Sequence, residues 1–299
     1  MHILTAPLKF IMRMLHNPFI WISERFEQFR DFFTQDVEDS PLADSFQKTV
    51  ENPQEFLVHL DTLRKHLLRS LLVLAIAVAL AFTFNPQILA FLARPLEGGM
   101  ESMVAIEVTE PISTVMRVSL LTGFAIAFPY IALELWLFIA PGLKPRSRLF
   151  GLFAIPAATF LFIGGMAFAY FIMLPTAIPF LLNFMGISTV PRPSSYIKFV
   201  AGIMFWIGIA FEFPLVIYIL AKLGIVRAKT LAQQWRLAIV IIAVIAALVT
   251  PTVDPVNMSI VMVPLIILYF FSIGLAAIAQ KRNIQVSDNQ VQSSIQGGK

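Results

Sequence analysis

The stretch Gly202–Leu220, GIMFWIGIAFEFPLVIYIL, is an apolar run broken by one carboxylate, Glu212. Apolar residues flank that acid well beyond the length of a soluble core helix, so its surroundings are lipid or packed membrane protein. A charge at bilayer depth costs about 2.5–3.5 kcal/mol on insertion scales, and such a residue faces a bundle interior or a watered cavity. The plainer alternative is a protonated Glu hydrogen-bonded to a neighbouring helix as glue. A working surface is the better reading, because ionisable groups at this depth usually mark one. Pro214 follows two residues later and removes a backbone donor, freeing carbonyls near the acid.

Composition agrees. The 299 residues are 58% hydrophobic and 13% charged, with a mean hydropathy of +0.80, whereas a soluble domain carries about a quarter charged residues. The chain is therefore read as an all-α, polytopic membrane protein. The absence of cysteine excludes disulfides, Cys-ligated zinc and thiol catalysis. The net charge of +4 matters less than where the Lys and Arg sit.

Residues 1–52 form an N-terminal extension in which Phe19, Ile22, Phe26, Phe29 and Phe33 gather on one helical face, opposite Glu24, Arg25, Glu27, Arg30 and Asp31. Lys9, Arg13 and His16 interrupt its apolar run, which argues against a signal peptide. An interfacial helix on one side, and a helix packed on the protein's own cytoplasmic side or a partly disordered tail on the other, fit equally well. A membrane domain over 53–282 follows, then a polar tail, 283–299, expected to lack structure. Apolar spans are expected over Leu67–Phe84, Ile112–Leu135, Leu149–Met173 and Tyr196–Ala221, with a loop over Leu174–Ser195. Leu237–Ala279 is interrupted by Thr250-Pro-Thr-Val-Asp254-Pro255 and reads as two short helices joined by a hairpin, implying local thinning or tilt.

Basic residues cluster before the first span (Arg64, Lys65 and His66, with Arg69 at its entrance), after the second (Lys144, Arg146, Arg148), after the fourth (Lys222, Arg227, Lys229, Arg236) and after the last (Lys281, Arg282). The first loop, 85–111, carries Glu97, Glu101, Glu107 and Glu110 against Arg94. The positive-inside rule then gives six transmembrane helices with both termini cytoplasmic. All four histidines are expected ahead of the first span, which leaves no base inside the bundle for a Ser–His protease. The acids inside the apolar blocks are Glu134 near a cytoplasmic end, Glu212 at depth and Asp254 at an external turn; their separation argues against paired-carboxylate catalysis and against an enzyme.

HLDTLRKHLL (59–68), PYIALELWLFIAPGL (129–143), GMAFAYFIMLP (165–175), SYIKFVAGIMFWIGIAFEFP (195–214) and TPTVDP (250–255) together resemble the TatC family of the twin-arginine translocase. The resemblance covers Phe56–Ala279. It implies six helices in a cupped bundle, no cofactor, and a role as the core receptor that binds twin-arginine signal peptides of folded cargo. It further implies recruitment of single-span TatA/TatB-type subunits for export driven by the proton-motive force, in the plasma (inner) membrane, within a larger complex.

Carried over position by position, the family's first cytoplasmic motif, HLxELRxRL, matches here at Leu63, Arg64 and Leu67, while its Glu falls on Thr62, with Asp61 next door. Its second cytoplasmic acid falls on Ser147, after a turn in which Phe138 and Pro141 match. Glu212 with Thr250 stands for the intramembrane polar site, and Pro95 and Asp254 for external-loop positions. The family's arginine-reading acids are thus altered while its membrane scaffold is kept. Asp61 or Glu134 could take over that pairing, and a divergent paralogue without twin-arginine recognition is a second reading. From other classes, a secondary transporter using Glu212 as a proton site lacks a deep partner charge and an inverted repeat, and a pure scaffold would tolerate Glu212→Gln.

Overall fold

The computed structural model describes residues 53–140, 145–183, 186, 189–222, 224–249 and 255–296. The extension over 1–52, Pro141, Thr250 and Asp254 lie outside the described residues. The helices are α1 (Pro53–Thr83), α2 (Asn85–Leu92), α3 (Glu110–Ile139), α4 (Pro145–Phe168), α5 (Leu174–Leu182), α6 (Pro193–Phe211), α7 (Phe213–Lys222), α8 (Ala228–Gln233), α9 (Trp235–Val249) and α10 (Pro255–Gln296). Among the described residues, five continuous helical segments are long and apolar enough to span a bilayer, and α9 is a shorter sixth. The all-α, multi-pass reading therefore holds.

The chain divides into two compact units. The smaller combines the chain up to Thr62 with Trp136–Phe153, so its described parts are the opening turns of α1, the last turn of α3 and the start of α4. The larger holds Leu63–Leu135 and everything from Ala154 onward.

Within the larger unit the main core joins Val118 and Leu121 of α3, Leu174 of α5, Ile197 and Val200 of α6, Ala246 of α9 and Val261 of α10. Two tyrosines fasten the short α2 to this core. The hydroxyl of Tyr196 donates to Leu92 O at 2.9 Å and that of Tyr170 to Phe91 O at 2.7 Å; Leu92 O thereby gains a partner at the end of α2, and Phe91 O a second donor beside Arg94 N at 3.2 Å. Tyr170 also stacks on Phe91, with centroids 4.4 Å apart. At the other end, Ile217 and Ala221 of α7, Ala228 of α8, and Ala276 and Ala279 of α10 make a smaller core. There Tyr269 donates to Leu231 O at 2.6 Å, and the Gln280 amide donates to Val226 O at 3.0 Å, so α10 holds the connection between α7 and α9 in place.

Three expectations are corrected. The loop expected over Leu174–Ser195 is helical as far as Leu182. Pro175 and Pro179 read as breakers, but a π-turn over Ala169–Met173 widens the helix just ahead of Pro175 and absorbs it. The last helix is also not short. Its apolar part, Met258–Gln280, has 23 residues and can cross alone, and its backbone stays helical to Gln296, through the polar stretch expected to lack structure. Only α9, at 15 residues, is short; that length rises about 22 Å against a hydrocarbon core of about 30 Å. Finally, His66 lies inside the first span, Leu60–Thr83, and not ahead of it.

Glycines set the closest helix crossings. A Cβ on Gly165 would stand 2.9 Å from both Gly208 Cα and Ile207 O and 2.8 Å from Phe211, so α4 and α6 meet backbone to backbone. Gly123 brings α3 equally close to α1, because its Cβ would lie 2.7 Å from Val78 Cα. Gly164, beside Gly165, faces open space. Gly165→Ala is therefore expected to destabilise the protein by about 1–3 kcal/mol through overpacking. Gly164→Ala should be neutral or gain up to about 1 kcal/mol from helix propensity. Denaturant unfolding in detergent of the two variants, side by side, checks the opposite signs.

Candidate functional site

Glu212 occupies the joint between α6 and α7. Pro214, fully buried, offers no N–H to Ala210 O, and the chain passes the gap with a tight turn in which Glu212 N donates to Ile209 O at 3.1 Å. The helix resumes at once, with Val216 N donating to Glu212 O at 3.0 Å. The Gly165–Gly208 crossing lies one turn before this joint and fixes its position against α4. The Glu212 side chain is half-buried, and its Oε1 is shut from solvent without a hydrogen-bond partner among the described residues. A buried carboxylate oxygen with no donor is costly, so the joint presents an acceptor suited to an incoming polar group.

A second polar site lies where α1 meets α3 in the larger unit. Glu134 is buried, with a side chain 3% exposed. Its Oε1 accepts the Tyr130 hydroxyl at 2.6 Å. Its Oε2 pairs with Nδ1 of His66, and Nη1 of Arg69 stands 4.0 Å away.

The acidic loop is tied to the segment preceding α6. Arg192 donates Nε–H to Glu110 Oε1 at 2.7 Å and an Nη2–H to Glu107 Oε1 at 2.8 Å. The two carboxylates, Glu107 foremost, raise the proton affinity of the Arg192 guanidinium above its ordinary value and keep the cluster ionised. Glu110 is buried and Glu107 exposed, so the fork brings a cation to the acid that most needs one.

The residues expected from sequence fall in separate places. Leu63, Arg64 and Leu67 are exposed on α1, as is Asp61, while Thr62 is half-buried. Phe138 is half-buried near the end of α3, and Ser147 falls in the first turn of α4. Pro95 is half-buried in the acidic loop. His66, Arg69, Tyr130 and Arg192 were not among the expected site residues. His66 and Glu134 are 68 residues apart in sequence, and Arg192 and Glu110 are 82 apart, so no local spacing announces either pair. Among the described residues no three His, Asp or Glu side chains gather as metal ligands would.

The helices and the polar pairs between them define a polytopic, all-helical membrane protein. A family description, Sec-independent protein translocase protein (TatC), matches residues 58–264. The Deinococcus radiodurans TatC is 36% identical over 228 residues, covering 74% of this chain and 84% of that protein. The Carboxydothermus hydrogenoformans TatC is 34% identical over 228 residues, covering 76% and 94%. A crystal structure described as the twin-arginine translocase receptor TatC superposes with a TM-score of 0.67 at 33% identity, over 74% of this chain and 99% of that one. The chain belongs to the TatC family and is a component of a Sec-independent protein translocase, not an enzyme.

Arg192→Ala leaves Glu110 buried without its cation and is expected to lower the thermal midpoint in detergent. Adding Glu110→Gln should restore part of the loss, because the stranded charge is gone. A double variant less stable than Arg192→Ala alone would show that the ion pair is not what holds the loop.

Proposed function

We propose that this protein is the core receptor of a twin-arginine translocase in the plasma (inner) membrane, with both termini cytoplasmic. It binds signal peptides of folded cargo proteins and recruits single-span TatA/TatB-type subunits, within a larger complex that contains more than one copy, for export driven by the proton-motive force. The observation that carries this reading is the 99% coverage of a solved twin-arginine translocase receptor at 33% identity. The basic connections, distributed as the positive-inside rule requires, support the orientation.

In this reading the signal's paired arginines approach the first half of α1, at Thr62, Leu63, Arg64 and Leu67 with Asp61 nearby, and the connection from α3 to α4, at Phe138, Pro141 and Ser147. Partner helices meet the polar site of Glu212 and Thr250, and Pro95 and Asp254 belong to the opposite, external side. Thr62 and Ser147 stand where carboxylates would best receive guanidinium groups, which favours, as a second reading, a paralogue with relaxed arginine selectivity.

Photo-crosslinkers at Thr62 and Ser147, presented with signal peptides carrying Arg-Arg or Lys-Lys, separate these readings. Strong Arg-Arg crosslinks lost with Lys-Lys are the expected result. Equal crosslinks would establish the relaxed receptor, and none at either position in folded protein would remove the receptor role.

A further inference from the structure

Glu134 is an acid in search of a role. Its side chain is 3% exposed, and those of His66 and Arg69, which cover it, are 15% and 28% exposed. Three groups engage it unequally. Tyr130 makes a short hydrogen bond to Oε1, and His66 pairs with Oε2. Arg69, at 4.0 Å, is close enough for charge attraction and too far for a hydrogen bond.

A guanidinium gains most from a carboxylate by placing two parallel N–H groups on its two oxygens. Arg69 makes no such fork: it is a guanidinium parked beside the acid and held short of full engagement. The setting matters as well. A charge-assisted bond to a carboxylate removed from water is stronger than one to an exposed acid such as Asp61. Along α1, His66 and Arg69 lie three residues apart on one stripe, whereas Arg64, two residues from His66, points to the opposite side. His66 and Arg69 thus belong to Glu134, and Arg64 is turned away from it.

We infer that Glu134 is the arginine-reading carboxylate of this chain, and that His66 and Arg69 are its intramolecular occupants, displaced when an arginine of the signal peptide enters. This rests on the receptor reading above. The exchange is charge-balanced: one guanidinium leaves as another arrives, so the buried carboxylate is never stranded without a cation. Arg69, partly exposed on a flexible stem, swings out, while Tyr130 stays on Oε1 and keeps the carboxylate oriented. Tyr130 is in this sense a positioning residue. The acid missing at Thr62 on α1 is supplied from α3 instead, and the resident His66 and Arg69 make the site selective, since only a ligand that forms the full fork outcompetes them.

The test uses the full chain in lipid nanodiscs and a fluorescent signal peptide with an Arg-Arg pair before an apolar segment, against its Lys-Lys counterpart. The parent should prefer Arg-Arg. Glu134→Gln should weaken Arg-Arg binding at least tenfold and erase the preference. Arg69→Gln should tighten Arg-Arg binding several-fold, because a competitor has been removed; a merely structural Arg69 would give no gain. Retained Arg-Arg preference in Glu134→Gln, or weaker binding in an Arg69→Gln protein of unchanged melting temperature, overturns the inference and leaves the receptor reading intact. A parent with no preference overturns arginine reading as a whole. If Glu134→Gln fails to fold, the sign of the Arg69→Gln effect decides alone.

Discussion

The close approach of α4 and α6 at Gly165 and Gly208 is the contact on which the rest of the bundle depends. In hydrocarbon, helices gain little from burying apolar side chains against one another, so association rests on close packing and a few polar contacts. With no Cβ at either position, the two backbones come within reach of Cα-to-carbonyl contact. Phe162 fills the space beside Gly208, stacks on Phe128 of α3 at 4.2 Å, and so links three spans through one crossing. The helix break at Glu212 follows immediately, and its depth and direction are set by that crossing.

Packing is uneven across the larger unit. The main core and the two tyrosine tethers rigidify the acidic-loop end, where Arg192 adds an ionic fastening. By contrast α1 buries only 11% of its apolar window, against 39% for α3. Its attachments within the larger unit include the Gly123–Val78 approach, the Asn85 amide donating to Val115 O and Ser119 Oγ just beyond its end, and the polar pairing of His66 with Glu134. Large side chains such as Leu71, Ile76 and Leu80 stay exposed along α1, as lipid-facing or partner-facing residues do. The polar pairing near the His66 end of a sparsely buried helix can yield without disturbing the rigid core, which is what the proposed ligand exchange requires.

The spans and the helix break beside Glu212 were legible in the sequence because hydropathy, an isolated charge and Pro214 are local signals. The extension of the third span was not, because Pro175 looks like a terminator unless a π-turn ahead of it is foreseen. The His66–Glu134 and Arg192–Glu110 pairs were hidden for another reason. Each joins segments far apart in the chain, and the first loop's acids showed only Arg94 as a nearby cation. The resemblance of the motifs to TatC supplied the family, which periodicity alone does not reach.

In the proposed function, the crossing of α4 and α6 presents Glu212 as an acceptor for a partner helix. The chain contains no cysteine, but the most direct measurement needs none: a photo-crosslinker at Val216, exposed and one turn beyond Glu212 on the same face, read against single-span partner proteins in vesicles. The parent and Glu212→Gln should crosslink the partner, and Glu212→Leu, with unchanged melting, should not. Equal crosslinking by Glu212→Leu would contradict that role and reduce Glu212 to a tolerated polar residue in a scaffold.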